Sequence, residues 1–173
     1  MSNKQLELIA SVYVDEEGAK TILDVLQKMH RAGTITLEDA ATVTKDAEGK
    51  LHIKETREIT TGKGVRRGAT IAGIFGLVFP PSLIVSALAG GIIGGAWGKL
   101  RDTGVKTGKM RELGSTLAPG NVGVIVLAEP QWVQQIEKAM EAYPGQFIRH
   151  AFTPEETAQI EGAAASSDAA PPE

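Results

Sequence analysis

Residues Gly68 to Gly98 form a run of 31 positions without one formal charge. A chain with such a stretch must bury it in lipid or in protein, because an exposed apolar surface that large invites aggregation. Pro80-Pro81 divides the run into arms of 12 and 17 residues. Proline removes a helical hydrogen bond and biases the residue before it away from α geometry, so two short helices joined at Phe79-Pro80-Pro81-Ser82 are expected rather than one straight span. At about 1.5 Å per residue the first arm reaches about 18 Å, short of a conventional bilayer crossing.

Small residues recur at fixed spacing within the arms. Ser86, Gly90, Gly94 and Gly98 fall every four positions, flanked by Ala87, Gly91 and Gly95; Gly68, Ala72 and Gly76 repeat the pattern in the first arm. Spacing of four keeps small side chains on one helix face, where another backbone approaches closely, as in a glycine zipper. Each glycine weakens an isolated helix by roughly 1 kcal/mol, so the run predicts a compensating contact. The other arm, another subunit, or both could supply it.

Basic residues bracket the run: Lys63, Arg66 and Arg67 before it, Lys99, Arg101 and Lys106 after it. A hairpin places both flanks on one side, where Lys63, Arg66, Arg67, Lys99 and Arg101 would meet lipid phosphates, with Trp97 as an interfacial anchor. The same residues equally suit solvated flanks and a core or subunit-contact tryptophan. Three destinations follow: a hairpin in the membrane, a hairpin buried in an oligomer, or a single crossing. The segment Thr61 to Gly68 lacks the complete G-x-x-x-x-G-K-[ST] pattern and a strong preceding strand, so nucleotide hydrolysis is not expected there.

On either side the chain reads as charged α/β sequence. Leu6 to Val14 alternates and is apolar on both faces, which predicts an internal strand. Asp15 caps a helix with Ala19, Ile22, Leu23, Leu26 and Met29 on its inner face, stopped at Gly33. Strands are predicted over Ala40 to Thr44 and Leu51 to Glu55, joined by a tight turn at Asp46 to Gly49. After the run, Val105, Met110 and Leu113 make a weak helical face. Val122 to Leu127 follows as a strand, with Gly123 expected to admit a close backbone. Pro130 opens a helix whose inner face holds Trp132, Val133, Ile136, Ala139, Met140 and Tyr143. Gln146 to Phe152 closes the sheet, and Thr153-Pro154-Glu155-Glu156 opens a last helix. A strand-helix-strand opening and closing that share one sheet favour the hairpin, because a single crossing would separate them across a bilayer.

Chemistry is sparse. The net charge of -3 gives no case for nucleic acid, and the chain has no cysteine. His30, His52 and His150 have no ligand spacing; Asp15, Glu16 and Glu17 are explained as a capped helix start. No catalytic residue, metal site or cofactor is expected. The first residues lack a signal-peptide pattern, which predicts a cytosolic body.

With these elements in order, the chain resembles the uncharacterised bacterial family DUF1269, whose members are often labelled predicted membrane proteins. The resemblance rests on Val12-Tyr13-Val14-Asp15-Glu16, Leu37-Glu38-Asp39-Ala40-Ala41, the apolar insert from Gly68, and Leu113-Gly114-Ser115-Thr116-Leu117-Ala118-Pro119-Gly120. It spans roughly residues 6 to 160 and carries over no catalytic residue. The reading from the residues is an α+β, ferredoxin-like two-layer domain of sheet and helix with an inserted glycine-rich apolar helical hairpin. Residues 1–67 and 99–165 form its two parts, 68–98 the insert and 166–173 a disordered tail. The expected function is a non-enzymatic homo-oligomer associated with anionic lipid at the cytoplasmic face of the inner membrane. The alternatives are a soluble self-assembling structural protein in the cytoplasm, with its hairpins buried in the oligomer, and a small-ligand regulatory or enzymatic domain.

Overall fold

The strand Glu7–Tyr13 (β1) is buried at all seven positions, so both faces of the sheet around it are covered. Its neighbour Val122–Ala128 (β5) is buried throughout as well. A computed structural model describes residues 5–56, 71, 74–75, 84–86 and 108–160. The elements follow as β1, helix α1 (Glu16–Arg31), β2 (Asp39–Lys45), β3 (Leu51–Glu55), β4 (Ile84–Ser86), α2 (Gly108–Thr116), β5, α3 (Pro130–Met140) and β6 (Gln146–Ala151). A further helix, α4, spans residues 154–160.

The six strands lie in the order β4-β3-β2-β5-β1-β6. β1 is antiparallel to both β5 and β6, and β2 is antiparallel to β5 and β3. The units β1-α1-β2 and β5-α3-β6 thus interleave, each strand pair separated by a strand of the other unit, the arrangement of a split βαβ fold. The chain's two flanks build one sheet, and neither could bury its strands alone.

One sheet face is closed by α1 and α3. Ala19, Ile22 and Leu26 of α1 and Val133, Ile136 and Met140 of α3 pack on Ile9, Tyr13, Ala40, Val122, Val124 and Val126. The Asp15 carboxylate starts α1 by accepting from the Gly18 amide at 2.8 Å, and Glu16 and Glu17 occupy its first turn. Helix α4 begins with a reciprocal cap: the Glu156 amide donates to Thr153 Oγ1, and the Thr153 amide to Glu156 Oε2.

The opposite face is covered too. Leu8, Ala10, Val43, Leu51, Ile53, Ile125 and Leu127 meet Met110 and Leu113 of α2, Ile160 of α4, and Ile71, Ile74 and Phe75. The last three are helical and buried to 1% exposure or less. Their i, i+3, i+4 spacing puts them on one face of a helix. The Ile71 amide donates at 2.8 Å to Oδ2 of Asp39, a carboxylate only 2% exposed at the start of β2. Lys45 Nζ ties the other end of β2 to the Gly114 carbonyl of α2 at 2.9 Å.

This layer corrects the expected hairpin. Ile84–Ser86, in the second arm, is a strand parallel to β3, with Leu51 opposite Ile84 and Ile53 opposite Ser86. A parallel pair requires a crossover, usually helical and packed on the sheet. Ile71, Ile74 and Phe75 lie on that crossover, so they face the sheet and not lipid. β-branched Ile84 and Val85 suit an extended backbone, and β3 offers them an edge to pair with. Among the described residues no helix is long and apolar enough to cross a membrane. The expected membrane association, with its placement at the inner-membrane face, is overturned with the hairpin. The α+β sheet-and-helix architecture stands.

Two substitutions test the layer in urea unfolding. Phe75→Ala should cost about 3–5 kcal/mol as a core truncation. Asp39→Ala should cost about 1–3 kcal/mol by leaving a buried amide unpaired. Unchanged midpoints in both would show that the crossover does not belong to the folded core.

Candidate functional site

Of the residues singled out from sequence, Ser86 lies in β4, paired opposite Ile53. It therefore does not belong to a helical small-residue face. Gly68, Ala72, Gly76, Ala87, Gly90, Gly91, Gly94, Gly95 and Gly98 lie outside the described residues, as do Lys63, Arg66, Arg67, Trp97, Lys99 and Arg101. The described polar groups gather elsewhere, on the border strand β6 and at the ends of the sheet.

On the α1/α3 face, Glu7 of β1 is 5% exposed although its neighbours along the strand are apolar. Its Oε2 accepts from Arg149 Nε of β6 at 2.6 Å, and Arg149 Nη1 reaches Glu137 Oε1 of α3 at 3.4 Å. Glu7 stands opposite Ala151 and Arg149 opposite Ile9, so the two meet diagonally across the Leu8–His150 pair. The hydrogen bond it donates to Glu7 holds the guanidinium firmly in its charged form, against the opposing effect of its burial. The trio fastens β6 to the strand beside it and the helix above it.

Further along β1, Ser11 Oγ and Tyr13 Oη are buried without a well-formed hydrogen-bond partner. Burial pushes the Tyr13 phenol up, and the nearby Ser11 hydroxyl offsets this only in part. Gly145 explains the crowding, since a Cβ there would overlap Ser11 Oγ and come within 3.2 Å of Tyr13 Cε1. Close approach thus occurs at Gly145. Gly123, where it was expected, would place a Cβ at an ordinary 3.6 Å from Leu117 and the Val43 carbonyl.

The β2–β3 turn holds a second polar cluster. Asp46 Oδ1 accepts from the amides of Glu48 and Lys50, and its Oδ2 lies 2.8 Å from His52 Nε2. The His52 contact, followed by the Lys50 amide, lowers the Asp46 carboxyl below its usual range. At the end of α1, His30 Nδ1 accepts from the Leu37 amide at 3.1 Å, so the loop into β2 is fixed by a side chain. Among the described residues no group of three or more His, Cys, Asp and Glu side chains gathers to hold a metal. Asp15 is engaged as a cap. The polar contacts serve as caps, turns and cross-strand ties.

Sequence reasoning missed Asp39, the Glu7–Arg149–Glu137 trio and the His30 tie. A signal existed for the trio. Glu7 is the one charged residue of β1, and Arg149 is the one fixed cation of β6; lone charges in strands call for partners.

Gly145→Ala should destabilise the fold by about 1–3 kcal/mol through overpacking, and Ser11→Ala should recover much of that loss in the double variant. Additive losses would exclude the clash. At alkaline pH the sign follows from the raised Tyr13 phenol. Its contribution is complete below the unfolded tyrosine value of about 10 and is lost as pH rises through the folded one. Tyr13→Phe should therefore flatten the fall in stability above about pH 10, read by denaturant unfolding at stepped pH.

No curated protein and no solved structure matches the chain. The comparison with protein families gives a match over residues 66–165, to "Protein of unknown function (DUF1269)". That segment begins just before the charge-free run and continues through β4, α2, β5, α3, β6 and α4, more than half of the sequence. The chain belongs to the DUF1269 family.

Proposed function

We propose that this protein is a self-assembling structural domain whose apolar run is used inside protein. The observation that carries this reading is the burial of Ile71, Ile74 and Phe75 against the sheet, with Asp39 holding the Ile71 amide. A run that reads from sequence as lipid-seeking supplies a core layer, and its later residues Ile84–Ser86 extend the same sheet. The remaining small-residue positions of the run are charge-free as well. Protein surface, contributed by this chain or by a copy of it, is the environment that suits them once the crossover lies on the sheet. The polar clusters support the same reading, because the contacts described for them orient strands and helices.

The test is fractionation of the untagged full chain without detergent, then native mass measurement of the supernatant. The expected result is a discrete multimer in the supernatant. Retention in membranes through salt and carbonate washes, or a monomer across the micromolar range, would overturn the proposal.

A further inference from the structure

The self-association proposed above has a place to occur. From the geometry of β6 we infer that two copies of this chain pair edge to edge through it, antiparallel, about a two-fold axis normal to the sheet. Among the described residues β6 is the last strand on its side of the sheet, and its ladder to β1 fixes which backbone groups face outward. The Phe152 amide donates to the Leu6 carbonyl, and in an antiparallel ladder hydrogen-bonded and non-hydrogen-bonded pairs alternate. Ile148 and His150 therefore face β1 through Ala10 and Leu8. Phe147, Arg149 and Ala151 turn their N–H and C=O groups away from β1, toward the open border.

Edge strands that avoid pairing carry proline, a bulge or unpaired charge, commonly lysine. Residues Gln146 to Ala151 include neither proline nor lysine, and their register with β1 runs without a bulge. Their one fixed charge, Arg149, is matched by Glu7 and Glu137. Among the described residues, then, no strand pairs with this border, and its fixed charge is matched.

Symmetry then selects the register. A two-fold axis normal to the sheet keeps each side chain on its own face, so only residues of like parity stand opposite one another. Outward-facing groups must meet outward-facing groups. One register sets Arg149 directly against its own copy, a like-charge contact that costs stability. The neighbouring register sets Phe147 against Arg149 twice, with Ile148 against Ile148 at the axis. It brings a guanidinium beside an aromatic ring and an aliphatic side chain beside its equal. Ala151 then stands opposite Gly145, which extends the ladder at both ends. This second register is the one the sequence favours, and the occupant it fits is a second copy.

The absence of native cysteine makes the pairing directly readable. In this register Ile148→Cys places two thiols at the axis in a non-hydrogen-bonded pair, close enough to oxidise. Under mild oxidation of the full chain it should give at least about tenfold more covalent dimer than Lys20→Cys, an exposed control on α1. Ala151→Pro removes an outward N–H without touching the β1 ladder. With its far-ultraviolet spectrum unchanged, it should weaken the dimer about tenfold or more by sedimentation. Cross-linking through Arg149→Cys in place of Ile148→Cys would overturn the register. A native multimer with no excess at Ile148→Cys and an unchanged Ala151→Pro would overturn the β6 pairing and leave self-assembly standing. A monomeric native mass would remove both. If Ile148→Cys does not fold, the Ala151→Pro result decides.

Discussion

The hydrogen bond from the Ile71 amide to the buried Asp39 carboxylate joins the two halves of the molecule's logic. Asp39 begins the strand that links the N-terminal unit to β5. Ile71 begins the described part of the apolar run, 32 positions further on. A carboxylate at 2% exposure is tolerated only where donors meet it, because an unpaired charge in such a place is costly. The Ile71 and Ala40 amides meet it here. The polar contact fixes where the crossover sits, and the apolar contacts of Ile74 and Phe75 follow from that placement.

The requirement behind this contact comes from the sheet. β1 and β5 are apolar on both faces, and strands of that kind need cover on both sides. Helices α1 and α3 cover one side as a direct consequence of the interleaved βαβ connections. The other side has no such built-in cover, and α2, α4 and the crossover converge on it from separate parts of the chain. Of these, α4 is held at both ends of its first turn, by its reciprocal cap and by Thr157 Oγ1, which accepts from the Leu6 amide. Ile71, Ile74 and Phe75 of the apolar run therefore help to close a core that the flanking sequence leaves open.

Much of the fold was legible in the sequence because its signals are local. The period-3.6 faces of α1 and α3, the Asp15 cap, the Asp46 to Gly49 turn and the Thr153–Glu156 opening each express a contact within a few residues. What could not be read locally was decided by long-range pairing. β4 lies in a stretch whose glycine content and four-residue spacing favour helix association, yet Ile84 and Val85 found an edge on β3. Glu7 with Arg149 and Asp39 with Ile71 are separated by 142 and 32 positions, and no periodicity announces either. The small-residue and basic positions singled out for it lie outside the described residues, apart from Ser86, and that one is in a strand.

The failure of hydropathy here has a specific physical origin. A window average measures how strongly a segment avoids water and is silent about what replaces the water. Lipid and a two-faced apolar sheet make the same demand on a helix that covers them, namely few charges and a broad apolar surface. They differ in what they ask of the backbone at the ends. A membrane span satisfies its own amides internally and ends in water or headgroups, whereas a crossover is tied to the sheet through polar contacts. The buried acid of β2 makes such a tie to the apolar run, and a parallel strand follows the crossover. A buried acid at a strand start, bonded to a charge-free run that itself contains a short β-branched segment, points to sheet cover where charge counting alone points to a membrane.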